Sequence, residues 1–441
     1  MTADPLSVSL VALAIGAGVV LFTYLAIRNS AATVAVLVAT WILTTAILDQ
    51  VDVSRAFAGT RVTALDVMSA IIALVGVIRI LVSGVLNPAR GLTLLLFGLL
   101  IVHVARGVAD FGLQSAVSGS RDWLYFGAAL VYGSSVSPAS SFAIWKILVV
   151  AGGCLAAVAV PYFVVDGVHT ATHEVLRNDV WVSSRPVVGA GALLMVQSAI
   201  IAIATGWPSP GSARALAAGE GVVLLLLQHR TIWIAGAVVA LMGFIGWSRR
   251  RIGTSPETVF ASTGFILLAL PAIALVFVHT RVFVASAEEA VSHHSTFTWR
   301  TTGWTELIGT HHSPLDLLIG GPSGASWARE IGGQIVDRSA HNGFVDAYLR
   351  IGLPGVVLLA ALGLILWRSR DLIAIRSGLP GAVVALILLT QLAFSVTFSL
   401  DLIQGIIVGV FAAGLAEKAR SPAETHSPSV PLVGPPKAAY R

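Results

Sequence analysis

From Leu6 onward the chain alternates long apolar blocks with short polar joins. The blocks fall near 6–27, 31–48, 62–82, 91–108, 122–136, 142–165, 187–205, 213–228, 231–247, 259–280, 351–367, 380–397 and 402–416. An α-helix needs about 20 apolar residues to cross the hydrocarbon layer of a bilayer, and most of these blocks come close to that length. The pattern predicts an all-α, polytopic transmembrane helical protein of about 12–13 spans, with residues 1–416 forming its membrane domain. Two stretches break it. Residues 281–350 are far longer than a connection requires, and loops of that length usually carry function. Residues 417–441 are rich in Pro, Ser and Ala. They cannot bury a core, so a disordered tail is expected there.

Composition agrees with this pattern. The chain is 56% hydrophobic and 11% charged, against roughly 25% charged residues in a soluble domain. So little charge cannot coat a water-facing surface of this size. The formal net charge is +5, and its placement predicts orientation. Cationic loops stay on the cytoplasmic side, which puts Arg249, Arg250 and Arg251 inside, together with Arg368, Arg370 and Arg376. Only the 259–280 block separates the first cluster from 281–350, so that segment becomes one large external loop. Counting back places Arg28, Arg79, Arg90 and Arg214 inside. It places 166–186 and the turn at 228–230 outside, the tail in the cytoplasm, and the start of the chain outside. The first block has no basic segment ahead of it and is long enough to span, so it reads as a span rather than a cleaved signal peptide. No basic stripe interleaved with aromatics is present, which argues against nucleic acid as a partner. The single cysteine, Cys154, forms neither an intrachain disulfide nor a thiolate metal site, and is expected to be a small buried residue.

Candidate chemistry gathers on the predicted outer side. In Ser339-Ala340-His341-Asn342-Gly343-Phe344, either Asn342 or Ser339 can cap a short helix over 343–351. Asp346 and Arg350 are spaced to pair on the surface of that helix. Gly352 ends it, and Pro354 suits the first turn of the next span. His341 then lies just before a helix start at the membrane edge, where a neutral imidazole can take a proton near pH 7. Such a residue is also common simply as a solvated loop histidine. Arg300 and Trp304 stand one helical turn apart. They read either as an interfacial belt with a snorkelling arginine or as a guanidinium aimed at phosphate. Arg230 sits between two apolar blocks on the side where cations are disfavoured, and anion binding is its natural role. The pairs His293-His294 and His311-His312 are adjacent rather than at ligand spacing, so no metal is expected. The Gly320-Gly321-Pro322-Ser323-Gly324 stretch lacks the lysine and the flanking strand of a P-loop, and reads as a flexible turn able to approach a substrate.

Taken together, these segments resemble the O-antigen ligase and O-antigen polymerase superfamily. The Gln228-His229-Arg230-Thr231 turn looks like the family's Ser-Arg turn. Arg300 with Trp304, the Leu318–Gly324 glycine-rich stretch, and His341-Asn342 before Gly352-Leu353-Pro354-Gly355 follow in the family's order. The matching stretch covers about 220–370, with upstream similarity only in hydropathy and span number. His229 in place of the family's frequent Ser, and Pro354 in the turn, are departures. The resemblance implies a cofactor-free, metal-independent membrane glycosyltransferase of cell-surface polysaccharide biosynthesis, in a bacterial cytoplasmic membrane. Its donor would be a polyprenyl-diphosphate-linked glycan and its acceptor a glycan or lipid. Membrane lipids, and other polysaccharide-assembly proteins, complete the expected partners. Arg230 and Arg300 inherit diphosphate binding and His341 inherits activation of the acceptor hydroxyl. Trp304, Gly320, Gly321 and Asn342 belong to the expected substrate loop. Polymerase and ligase are not separated by these residues. The competing class is a lipid-linked glycan flippase, which would want charges inside several spans; a scaffold would not need Arg230, Arg300 and His341 on one side.

Overall fold

The computed structural model describes residues 5–47, 62–165, 167–168, 174–177, 180–183, 185–229, 232–233, 236, 284, 296–309, 313–325, 327–331, 334–337 and 340–415. Its helices, in chain order, are α1 (Pro5–Arg28), α2 (Ser30–Trp41), α3 (Ala64–Ser83), α4 (Pro88–Ser134), α5 (Pro138–Val165), α6 (Gly189–Thr205), α7 (Pro210–Leu226), α8 (Thr296–Gly309), α9 (Pro314–Ile319), α10 (Gly343–Arg368), α11 (Arg370–Ser377), α12 (Gly381–Ser395) and α13 (Leu402–Ala413). The protein is an all-α membrane bundle, helical but for two short hairpins. Among the described residues, α3, α4, α5 and α10 are long and apolar enough to cross a membrane, and shorter apolar helices pack beside them. Leu74, Ile78, Leu95, Val150, Val160 and Val357 lie on exposed faces, which suits side chains in contact with lipid. The expected spans at 231–247 and 259–280, the cluster Arg249–Arg251 and the tail 417–441 lie outside the described residues.

The hydropathy block at 91–108 and nearly all of the block at 122–136 fall in the single stretch α4, yet they are separate limbs. Gly112 has φ +80 and ψ 161, which breaks the helix. Arg90 Nε donates to the Ser134 carbonyl at 3.0 Å, a Cβ on Gly127 would meet Leu100 and Phe97, and His103 Nε2 lies 2.9 Å from Ser120 Oγ. These pairs are nested about Gly112, so the limbs run antiparallel as a helical hairpin. Only glycine takes that backbone conformation without strain. α13 seats against the second limb because glycines on both helices let the backbones close up: a Cβ on Gly133 would stand 3.0 Å from Gly409 Cα. Small residues at such contacts are what membrane helix packing favours.

The contacts sort the two ends of the bundle. At one end Arg79 donates to the Ile27 carbonyl at 2.7 Å and Ser30 Oγ at 2.9 Å, Trp145 donates to the Ser377 carbonyl at 3.2 Å, and Arg376 reaches the Gly414 carbonyl at 2.9 Å. Arg28, Arg79, Arg90 and Arg376 therefore share an end. The other end holds the Gly112 turn, the start of α3, where Arg121 grips Asp66 at 3.2 and 3.1 Å, and the 396–401 connection, where Trp41 donates to Asp401 at 2.8 Å.

The all-α expectation holds, with two small antiparallel hairpins added, β1 (Glu174–Arg177) with β2 (Val180–Ser183) and β3 (Ala328–Ile331) with β4 (Gln334–Asp337); they are too short to show in a hydropathy pattern. Two expectations need correction. Cys154 is exposed on α5 rather than buried, as an apolar side chain on a lipid-facing surface can be. Asp346 and Arg350 do pair, at 2.9 Å, but both are buried rather than on the surface.

Candidate functional site

Two polar corners stand at the end of the bundle that carries the Gly112 turn. The first is built around Asp346 and Arg350 on the opening turns of α10. Asn342 starts this helix, its Oδ1 accepting from the Phe344 and Val345 amides at 2.9 and 3.0 Å, and Gly352 (φ +67) breaks it before the membrane-crossing part begins. Asp346 Oδ1 accepts from Arg350, while its Oδ2 accepts from Trp123 Nε1 at 2.7 Å and Ser399 Oγ at 2.9 Å. Arg350 also donates to the Gly119 carbonyl, and its guanidinium lies 5.1 Å from the Trp327 ring centre.

The glycine-rich stretch closes this corner. The Gly321 amide donates to the Leu349 carbonyl at 2.8 Å. Its carbonyl accepts from His103 Nδ1 at 2.6 Å, which leaves Nε2 facing Ser120 Oγ. Ser323 Oγ contacts Ser120 Oγ and donates to the Ala116 carbonyl at 2.5 Å. Gly320 (φ +76) has no room for a Cβ against the Arg350 carbonyl, nor has Gly107 against Ser323. The close approach that these glycines permit is therefore made to the protein's own backbone. Arg106 binds Asp316 at 3.0 Å and the Gly320 carbonyl, pinning α9 to α4.

The second corner is centred on Phe398, between α12 and α13. The Arg300 guanidinium, from the middle of α8, lies 5.6 Å from the Phe398 ring centre. The His229 imidazole meets the same ring edge-on, with centres 6.4 Å apart. A Cβ on Gly189, the first residue of α6, would press on that ring, and one on Gly343 would stand 3.2 Å from the Phe398 carbonyl. Three of the sequence segments singled out, the turn before Arg230, the Arg300 helix and the His341-Asn342-Gly343 segment, thus converge on one phenylalanine. Trp304 helps to bind two of them, since its Nε1 donates to the Ala340 carbonyl at 2.6 Å. Arg230 itself lies outside the described residues.

The backbone at this corner is unusual. Gln228 (φ +52) and His341 (φ +48) are the only non-glycine residues with positive φ among the described residues. One precedes Arg230 closely and the other is the candidate base. Such conformations are stored mostly at functional sites. His341 is half-buried.

Arg185 belongs to the same corner and was missed in the sequence. Its Nη1 lies 3.3 Å from His229 Nδ1 and its Nη2 donates to the Gln228 carbonyl at 3.5 Å. The signal that would have found it is the one that singled out Arg230: an arginine in a segment that the charge pattern predicts to face the side where cations are disfavoured. His229 Nε2 donates to the Val187 carbonyl at 2.9 Å, so Nδ1 is left as the acceptor facing Arg185. Burial first, and then the Arg185 charge, hold the His229 pKa down at about 3, so the imidazole is neutral. Among the described residues no group of three or more His, Cys, Asp or Glu side chains is arranged to hold a metal ion. No protein-family model matches the chain, and no curated protein matches it.

Proposed function

We propose that the protein transfers a glycan from a polyprenyl diphosphate donor to a hydroxyl of a glycan or lipid acceptor, on the outer face of a bacterial cytoplasmic membrane, as a polymerase or ligase of cell-surface polysaccharide. The observation that supports this best is the convergence of the His229 turn, Arg300 and the His341 segment on Phe398, at the end opposite Arg28, Arg79, Arg90 and Arg376. The preference of cations for the cytoplasmic side supports an outward-facing corner.

The chemistry follows from the residue types. The acceptor oxygen attacks the anomeric carbon, the bond from that carbon to the diphosphate oxygen breaks, and polyprenyl diphosphate leaves with the electron pair. Negative charge grows on the leaving group, and guanidiniums aimed at it, Arg300 and Arg230, stabilise that growth without a metal. The acceptor proton passes to the His341 imidazole as the new bond forms.

The test is a reaction of purified protein with polyprenyl-diphosphate-linked oligosaccharide, with donor binding and transfer measured side by side. His341→Ala is expected to keep donor binding while turnover falls roughly 10²–10⁴-fold, the usual worth of a general base. Turnover near the parent rate would remove His341 from the mechanism. A product ladder identifies a polymerase, and a single transfer to a different acceptor identifies a ligase.

A further inference from the structure

Lys146 lies about two turns into α5, a helix long and apolar enough to cross a membrane. It stands toward the end of the bundle that holds Arg28, Arg79, Arg90 and Arg376, since its neighbour Trp145 donates to the Ser377 carbonyl. Its ammonium rests 4.6 Å from the Phe142 ring centre and 5.6 Å from that of Trp207, in the connection between α6 and α7. Side chains on a helix lean toward its start, so Lys146 reaches back over Phe142, one turn earlier. Ring faces attract a cation and fix its place without neutralising it. Among the described residues the ammonium makes no hydrogen bond and meets no carboxylate; its contacts are the two rings. An ammonium has three N–H donors. All three are left for a group outside the protein, and Lys146 is only half-buried, so such a group can reach it.

α11 sets the depth of this place. The chain turns by 113° between α11 and α12, so α11 lies across the bundle rather than along it. Ile373 is buried beneath it, while Leu372 and Ile375 face outward, Ile375 with 82% of its surface exposed. The Arg370 guanidinium stands 5.5 Å from the Trp367 ring centre. A short helix with apolar residues outward and arginines at its ends suits the boundary between headgroups and acyl chains. Its one acid, Asp371, is turned toward α12, where Oδ1 would meet a Cβ on Gly381. The turn after α11 reaches the lysine's own ring: a Cβ on Gly378 would lie 3.6 Å from Phe142. The Lys146 ammonium is therefore near the level of lipid phosphates.

We propose that Lys146, held between Phe142 and Trp207, binds the phosphate of an anionic membrane lipid at the cation-rich end of the bundle. Phosphate oxygens accept charge-assisted hydrogen bonds from an ammonium, and a compact ammonium on a flexible stem suits a single phosphate. A zwitterionic headgroup brings its own cation to the same place, where like charge repels it. An anionic headgroup does not.

The experiment places the purified full-length protein in nanodiscs of phosphatidylcholine with rising fractions of phosphatidylglycerol. Retained lipids are counted by native mass spectrometry, and thermal midpoints are recorded alongside. The parent is expected to retain phosphatidylglycerol in preference to phosphatidylcholine. Lys146→Gln should weaken that retention about 10–100-fold, the worth of charge-assisted hydrogen bonds, and Lys146→Arg should keep most of it. Arg28→Gln removes an exposed cation from the same end and should change little. Equal losses in Lys146→Gln and Arg28→Gln would mean diffuse attraction to a basic surface and would overturn the site. If Lys146→Gln is not recovered folded, Trp207→Leu decides, because it keeps the lysine and removes one ring: unchanged retention overturns the proposal. A parent that retains the two lipids equally overturns it as well. So does a parent in pure phosphatidylcholine that inorganic phosphate stabilises as much as phosphatidylglycerol does, since the ligand would then be the free ion.

Discussion

The two corners at one end of the bundle are built from the same residue types and treat them in opposite ways. At the Asp346 corner, a guanidinium meets a carboxylate, and that carboxylate accepts from an indole and a hydroxyl as well. The His103 imidazole is bonded at both nitrogens. At the Phe398 corner, the guanidinium of Arg300 meets a ring face and that of Arg185 a neutral imidazole. The first arrangement spends charge on holding α4, α9 and α10 together. The second gathers guanidiniums beside an aromatic ring and an imidazole. A histidine or arginine is thus informative only once the groups it meets are known.

The comparison makes its largest prediction at the braced corner. Asp346→Ala should cost about 3–5 kcal/mol of stability, because it strands Arg350 as a buried cation. Detergent-resistant folding and the thermal midpoint should both drop. An Asp346→Ala protein with the parent midpoint would show that the ion pair does not hold the corner. Next comes Arg300→Lys, which should leave the midpoint near the parent value while transfer falls roughly 10²–10³-fold, the cost of losing one well-aimed oxyanion donor. Reversal of the two outcomes, with Asp346→Ala stable but inactive and Arg300→Lys unfolded, would exchange the roles of the corners.

The smallest prediction concerns acid. His229 is buried with its pKa at about 3, against 6.5 for the free side chain. The unfolded chain therefore takes up a proton that the folded one refuses. The stability this neutral imidazole contributes is fully present above about pH 6.5 and falls away as the pH drops toward 3. Between those values the parent midpoint should decline more steeply with acidification than that of His229→Asn. Parallel declines would mean that His229 is accessible to protons in the folded protein.

Much of the bundle was readable because crossing a bilayer demands long apolar blocks, and a polar break between two of them marks a turn. The blocks at 91–108 and 122–136 map onto the limbs of the Gly112 hairpin for that reason. Whether an apolar block faces lipid or protein is not written in its hydropathy, which is why Cys154 was expected to be buried. The spacing of Asp346 and Arg350 gave their pairing, but an i,i+4 pair looks the same in sequence whether it is solvated or enclosed. The glycines at 320–324 announced a close approach without saying to what. At the candidate site, Arg300 and the His341 segment were legible through unusual residue types in unusual places. Phe398 was not, because a phenylalanine within an apolar stretch carries no local mark. Its importance arises from three distant segments meeting on it, a property of the tertiary fold alone.

The hairpin about Gly112 bears on how the chain reaches its membrane. Its second limb carries Arg121 and Asp122, and the apolar block beyond them is brief for a crossing segment. An arginine near the end of a crossing segment opposes insertion by less than the roughly 2.5–3.5 kcal/mol it would cost at the centre, and Asp66 of α3 is there to pair with it. The first limb is strongly apolar over its early turns, and the nested contacts from Arg90–Ser134 to His103–Ser120 bury polar groups between the two. A segment of this kind favours leaving the translocation machinery as a folded pair, with the apolar limb carrying its reluctant neighbour into the lipid. The single glycine at its tip then does its work during biogenesis, when only α1, α2 and α3 have gone before and the rest of the bundle has yet to follow.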